Sequence, residues 1–368
     1  VTNKAPSADR QEELVAKLMR ACRARSLGEV RRCCQQGVDV NRIDTVGDTA
    51  LVLACVNGDV EIVRLLLRSG ADVKLVNKGG ASPLYHASFY GRVHVARILI
   101  DNGADVNEAA SDGRSPLAIA SQREHNAGIV RLLLAKGARV NHATNDGRSP
   151  LYFASRHGNA EVARVLLKNG ADVKATCDGC SPLHIASERG HVDVIRLLLA
   201  HGADIGQANN DGSTPLFIAS RDGHVDAVRL LLERDAGVNA VSDDGASPLY
   251  VASKFGHADV ARVLIEQGAD IENGGFSPLS IACQEGCIDV VRLLLERDAK
   301  VNQGDDEGKS PIYLSYAAGH VEVPNSCAST MPTLTSLLVE AVRFSSLRVS
   351  TTTSKLSAIC WRTTPTST

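Results

Sequence analysis

Along the chain, short runs of small and apolar residues opened by Ser-Pro or Thr-Pro alternate with Leu/Val-rich runs, and polar segments containing glycine separate the two. One stretch shows the scheme: Asp178-Gly179-Cys180-Ser181-Pro182-Leu183-His184-Ile185-Ala186, then Gly190-His191-Val192, then Arg196-Leu197-Leu198-Leu199. The pattern predicts helix, short loop, helix, long loop. Ser181 can accept a hydrogen bond from an orphan first-turn N–H, and Pro182 stands at the one helical position where a missing donor costs nothing. Gly190 permits a tight reversal, and Gly202 is placed to end the second helix in a left-handed cap.

The scheme recurs. Prolines of this kind stand at Pro83, Pro116, Pro150, Pro182, Pro215, Pro248, Pro278 and Pro311, so the numbering itself gives steps of 30 to 34 residues. One step before Pro83, Thr49-Ala50-Leu51 is the same tripeptide without its proline, and from Leu14 to Asn41 only the later half of the pattern survives. Small residues at Ala87, Ala120, Ala154, Ala186, Ala219, Ala252 and Ala282 let neighbouring helices approach, while Leu and Val stripes of the second helices fill the space between units. That accounts for an aromatic content of only 4%. A single unit cannot bury its apolar side alone, so stability is expected from the stacking of neighbours.

These residues resemble the ankyrin repeat family, whose pattern is close to D-x-x-G-x-T-P-L-H-x-A-x-x-x-G-H followed by V-V-x-L-L-L-x-x-G-A-D-V-N. The resemblance covers residues 11 to 321 and implies an all-α solenoid of helix-turn-helix repeats with β-turn fingers, right-handed and slightly curved. Its divisions are an N-terminal extension (1–10), a degenerate capping repeat (11–43), eight repeats (44–303), a truncated final repeat (304–323) and a Ser/Thr-rich tail (324–368). Several units depart from the pattern. Glu124 stands where the loop glycine belongs, with one extra residue before Arg131, so that loop is expected to be distorted. Asp235 and Asp298 replace the glycine after the second helix, and the finger before Phe276 is three residues short, so a local change of curvature is expected there. After Val323 the pattern stops at Pro324. The tail has a disorder-like composition, but Leu334, Leu337, Leu338, Ala341 and Val342 follow helical spacing and suit a capping helix over 334–347. A start at Val1 and the break after Val323 leave open a fragment or an altered reading frame.

Charge refines the picture. The formal net charge is −2, but residues 1 to 36 carry eight Lys or Arg against four acids, and 324 to 368 carry four against one. By difference the middle is −9, which argues against nucleic acid as a partner and favours cations over that region as a whole. No run of about 18 apolar residues is present, and 1 to 10 is polar, so neither membrane insertion nor a secretion signal is expected; the location read from this is cytoplasmic, nuclear or both. The ten cysteines follow no framework spacing and are read as reduced thiols.

Four groups of residues invite a chemical reading. Cys177-x-x-Cys180 with His184 looks like a metal or redox site, yet it lies in a finger without a second ligand pair at zinc spacing. Gly308-Lys309-Ser310 resembles the end of a phosphate loop, but Gly304 is one residue too close. The recurrent Gly-His of His191, His224, His257 and His320 is explained by the repeat, as is the aromatic or imidazole at Tyr85, Tyr152, His184, Phe217, Tyr250 and Tyr313, which is expected to pack between repeats. Arg64, Arg97, Arg131, Arg164, Arg196, Arg229, Arg262 and Arg292 form a column on the second helices. An acid stands three residues earlier in six cases (Glu61, Glu161, Asp193, Asp226, Asp259, Asp289), so a solvated face of ion pairs is expected. No catalytic residue, metal or cofactor is expected.

What varies while the frame repeats is the pair of residues after the small pair of each unit. The resemblance places these positions in the inner, concave groove. They include Phe89, Tyr90, Arg123, Arg156, His157, Glu188, Arg189, Arg221, Asp222, Lys254 and Phe255, and the side chains of three successive units are expected about 10 Å apart. Aromatic and arginine side chains are the usual anchors of protein interfaces. The family implies a non-enzymatic scaffold or adaptor, monomeric by itself, that binds protein partners through this groove. The alternative is the recognition arm of a larger enzyme, a kinase or ubiquitin-ligase subunit, whose catalytic part is absent from this chain.

Overall fold

A computed structural model describes residues 8–45, 47–272, 277–301, 309–320 and 322–323. The tail with its expected helix at 334–347, residues 1–7 of the extension, the short finger before Phe276, and Gly304 and Gly308 lie outside them. Among the described residues there are nineteen α-helices and no strand. Eighteen of them form nine consecutive packed pairs, beginning with Ala8–Arg23 and Leu27–Gln35 and continuing through pairs such as Pro150–Arg156 with Ala160–Lys168 and Pro182–Glu188 with Val192–Ala200, and Pro311–Ala317 is the nineteenth. The chain divides into two compact units, Val1–Asn210 and Asp211–Thr368. Among the described residues, each is an all-α repeat stack.

The first helix of a pair starts where its chemistry says it should. Ser149 Oγ accepts from the Tyr152 N–H at 3.1 Å, and Thr214 Oγ1 from the Phe217 N–H at 3.3 Å, with proline in the first turn of each helix. At Ser181 a reciprocal bond is added, the Ser181 N–H donating to His184 Nδ1 at 3.2 Å. Helix-one alanines such as Ala87, Ala154 and Ala186 are wholly buried, as are Leu133, Leu166 and Leu198 of the second helices.

The end of the second helix demands a left-handed residue. Gly202 has φ 83°, and a side chain there would meet open space, so backbone conformation rather than room selects glycine. Asp235 and Asp298, which replace that glycine in their units, adopt the same conformation at φ 64° and 62°. Aspartate tolerates the left-handed region better than most side chains, and the preceding helices, Val225–Leu232 and Ile288–Leu295, end at eight residues.

The fingers are tight turns closed by backbone bonds. The Thr144 N–H donates to Arg148 O at 3.0 Å, and the Gly147 N–H to Thr144 O at 2.9 Å. In the next finger Cys177 and Cys180 exchange both bonds, at 3.0 and 2.9 Å, around Asp178 (φ 50°) and Gly179 (φ 77°). Two successive left-handed residues make a two-residue type I′ turn. This finger is one residue shorter, which explains the step of 32 from Pro150 to Pro182. Neighbouring fingers are joined, the Ser111 N–H donating to Gly79 O and the Asn145 N–H to Asp112 O, at 3.0 and 3.2 Å.

A second set of bonds joins repeats beyond the second helices. Asn141 Nδ2 donates to Gly170 O at 3.2 Å while its Oδ1 accepts from the Asp172 N–H at 2.9 Å. Asn41 bridges to Gly70 and Asp72 in the same manner, and Asn107 to Gly137 and Arg139. Gln11, on the first helix of the chain, reproduces the bridge with Gly37 O and the Asp39 N–H. The N-terminal helix is thereby clamped onto the stack.

Leu198→Ala is expected to destabilise the protein by about 2 to 5 kcal/mol, because this wholly buried side chain fills space between helices of adjacent repeats. Chemical denaturation measures it. A loss under about 0.5 kcal/mol would contradict the packing described.

Candidate partner-binding face

The loop between the two helices of a repeat sets the geometry of the candidate face. In the first unit, the residue just before the second helix reaches back to the end of the preceding repeat's first helix. Asn159 Nδ2 donates to Ser121 O at 2.8 Å, and Asn126 Nδ2 to Ser88 O at 3.0 Å and Phe89 O at 3.3 Å. His191 Nε2 lies 3.2 Å from Arg156 O, and in the second unit His257 Nε2 lies 2.9 Å from Arg221 O. These side chains satisfy carbonyls that a helix C-terminus leaves orphaned. The recurrent Gly-His is therefore a two-part device. A Cβ on Gly158 would come within 2.7 Å of His191 Nδ1, and Gly158 itself has φ 71°, so both space and conformation require glycine.

The distorted unit uses the same device by a different path. Its first helix, Pro116–Ala120, is short, and a 3₁₀ turn over Glu124–Asn126 replaces the glycine loop. The turn ends on Asn126, which is buried and bridges both to the previous repeat and to Ala120 O at 3.1 Å. It also presents Arg123 on the surface.

This scaffold brings the candidate residues of the first unit together. Tyr90 is exposed and packs edge-on against half-buried Phe89, ring centroids 4.9 Å apart. The Arg123 guanidinium, from the next repeat, lies 4.4 Å from the Phe89 ring centroid, a cation–π contact. One repeat further, Arg156 and His157 are exposed. Partial burial holds the His157 pKa below its ordinary 6.5, and the positive charges of Arg156, Arg123, His191 and Arg189 lower it further. That imidazole thus senses arginines from three successive repeats. Arg189 is paired with Glu188 at 3.1 Å. Among the described residues, neither Arg123 nor Arg156 has a carboxylate within 4 Å.

The second unit carries a different arrangement. Arg221 and Asp222 neutralise one another through two bonds of 2.9 Å. Phe255 is exposed, its ring stacked near His257 at 6.4 Å, with Lys254 Nζ 5.9 Å from its centroid.

The other sequence candidates resolve into structural roles. His184 is buried, and its Nδ1 accepts from the Ser181 N–H, so that nitrogen is committed to the helix cap. Cys177 is buried, with Sγ 2.9 Å from Asp146 O. Among the described residues, no group of three His, Cys, Asp or Glu side chains is disposed to hold a metal, and no helix is long and apolar enough to cross a membrane. At the position expected to pack between repeats, Tyr152, His184 and Phe217 are buried and Tyr85 and Tyr250 half-buried, but Tyr313 is exposed.

The column of helix-two arginines differs from expectation. Of the six anticipated pairs three residues apart, two are within 4 Å among the described residues, Arg164–Glu161 at 3.4 Å and Arg292–Asp289 at 3.5 Å. Arg131, which has no acid at that spacing, instead pairs with Glu161 of the next repeat. Exposed ion pairs of this kind are too weak to hold long side chains in one geometry.

A family model described as ankyrin repeats (3 copies) matches residues 18–110, 106–177, 174–242 and 234–305. No curated protein matches the chain.

The His157 imidazole is expected to titrate below 6.5 in the folded protein, and Arg156→Ala to raise its pKa, as read by NMR. The unfolded chain then binds this proton more readily, so the group's effect on stability is unfavourable as pH falls through 6.5. A titration at or above 6.5 would contradict the cationic surroundings described.

Proposed function

The chain belongs to the ankyrin repeat family, and from that premise we propose that it is a non-catalytic scaffold or adaptor binding partner proteins through the face formed by the ends of its first helices. Ankyrin repeats generally mediate protein–protein interaction. The observation that carries the reading to particular residues is the convergence of Phe89, Tyr90, Arg123, Arg156, His157 and Arg189, from four successive repeats, on one surface. Tyr90, Arg123, Arg156, His157 and Arg189 are exposed. The bonds between repeats are made by other residues, such as Asn126, Asn159 and His191.

The physical case is one of rigidity. Interfaces gain most from aromatic and arginine anchors whose conformations are ordered before binding, because less entropy is lost on association. Phe89 is in contact with both the Tyr90 ring and the Arg123 guanidinium. Glu188 belongs to the same face, and Arg221, Asp222, Lys254 and Phe255 are the corresponding residues in the second unit. The groove is proposed to work without a cofactor.

Affinity capture with the full chain, followed by mass spectrometry, identifies partners for quantitative titration. Tyr90→Ala or Arg156→Ala is expected to weaken binding by about 1 to 3 kcal/mol. Arg196→Ala, exposed on a second helix, is expected to change it by less than about 0.5 kcal/mol. The reverse ranking would move the binding face to the second helices.

A further inference from the structure

We infer that the partner segment seated on the first unit's face is a short acidic peptide, its carboxylates meeting Arg123 and Arg156 and an apolar or aromatic residue lying against Tyr90 and Phe89. The inference rests on the proposed binding face and adds the chemistry of its occupant.

Three observations point the same way. The Arg123 guanidinium lies 4.4 Å from the Phe89 ring centroid, and the charges of Arg156, Arg123 and Arg189, from three successive repeats, add to burial in holding the His157 pKa down. Among the described residues, Arg189 is the one of the three with a carboxylate within 4 Å, Glu188 at 3.1 Å. Arginines without a carboxylate within 4 Å occur on the second helices too among the described residues, for example Arg97 and Arg196; Arg123 differs in lying over the Phe89 ring. A guanidinium presents a planar fork of donors that a carboxylate matches with two parallel bonds, and such charge-assisted bonds are the strong ones.

The aromatic pair adds the second half of the recognition. Tyr90 is 45% exposed, and its edge-on contact with Phe89 leaves an apolar surface directly beside Arg123. A peptide that alternates carboxylates with an apolar side chain would meet cationic and apolar groups in turn. The extent of the charge favours a short peptide over a nucleic acid. The region from 37 to 323 is −9 overall, so a long polyanion leaving the cationic patch would run over a repelling surface. A peptide confined to a few repeats would not.

Selection of short random peptides from a phage-displayed library on the full chain tests this directly. Enriched sequences are expected to be net acidic with an apolar or aromatic residue. Synthetic versions are expected to lose about tenfold or more in affinity with R156E or with the milder pair R123Q/R156Q, checked by circular dichroism to be folded, and to weaken as salt is raised. Three results would overturn the inference. Selected peptides that are neutral or basic but lost with Y90A would overturn the acidic class and leave the binding face standing. Peptides indifferent to Y90A, R123Q/R156Q and R156E would overturn both. A library yielding no acidic binder, while a single-stranded DNA probe binds and is lost with R156E, would assign the patch to nucleic acid.

Discussion

Within each unit, burial of helix pairs against their neighbours is the interaction on which the rest of this structure depends. A pair such as Pro182–Glu188 with Val192–Ala200 is too small to enclose a core, and its most buried side chains, Leu183, Ile195 and Leu198, have no solvent exposure only because neighbouring helices cover them. Close approach requires alanine at Ala154 and Ala186, where a larger side chain would hold the helices apart. The same demand for regular stacking fixes the connections. Left-handed residues must end the second helices, and bridging amides such as Asn141 and Asn41 must meet the next backbone at the right height. Stability is thus local and cumulative.

This constraint separates the surface into two kinds of position. The reach of Asn126, Asn159 and His191 to carbonyls of the preceding repeat occupies the last loop residue before the second helix, so that position is committed to the frame, unlike the variable pair at the end of the first helix. Phe89 and Tyr90, Arg156 and His157, and Glu188 and Arg189 stand where one helix ends, and Tyr90, Arg156, His157 and Arg189 are exposed there. Where the hydrogen bonds between repeats are made by other side chains, the exposed residues can vary at little cost to the frame, and that freedom is what a recognition surface needs. The distorted unit illustrates it well: the glycine is gone, a 3₁₀ turn takes its place, and Asn126 still makes the bridge while Arg123 is delivered onto Phe89.

The features read from the sequence were those set within one unit. Ser-Pro starts, Ala positions and glycine stops act within a few residues of themselves, and the period of about 33 residues displays them repeatedly. Features that depend on side chains meeting across repeats were missed or misjudged. Gln11 gave no signal, because its role as an amide bridge appears only when its helix lies against Gly37 and Asp39. The ion pairs expected from spacing formed in two of six places among the described residues, while Arg131 found Glu161 thirty residues away. Asp235 and Asp298 looked like defects but take up the left-handed conformation of the glycine they replace. Within the candidate face, exposure of Tyr90 was legible from position, but Phe89, read from the same position as exposed, is half-buried; the Arg123 guanidinium over its ring was not legible, since it depends on the altered loop of the next repeat.

Hydrogen–deuterium exchange of the full chain, free and saturated with a captured partner, examines the central claim most directly. The account predicts slowed exchange at the ends of the first helices and the loops that follow them, around residues 88–91, 122–126, 155–158 and 188–190, with the exposed side of the second helices unchanged. Protection concentrated on second helices such as Ala160–Lys168 and Val192–Ala200, with those loops unaffected, would contradict it.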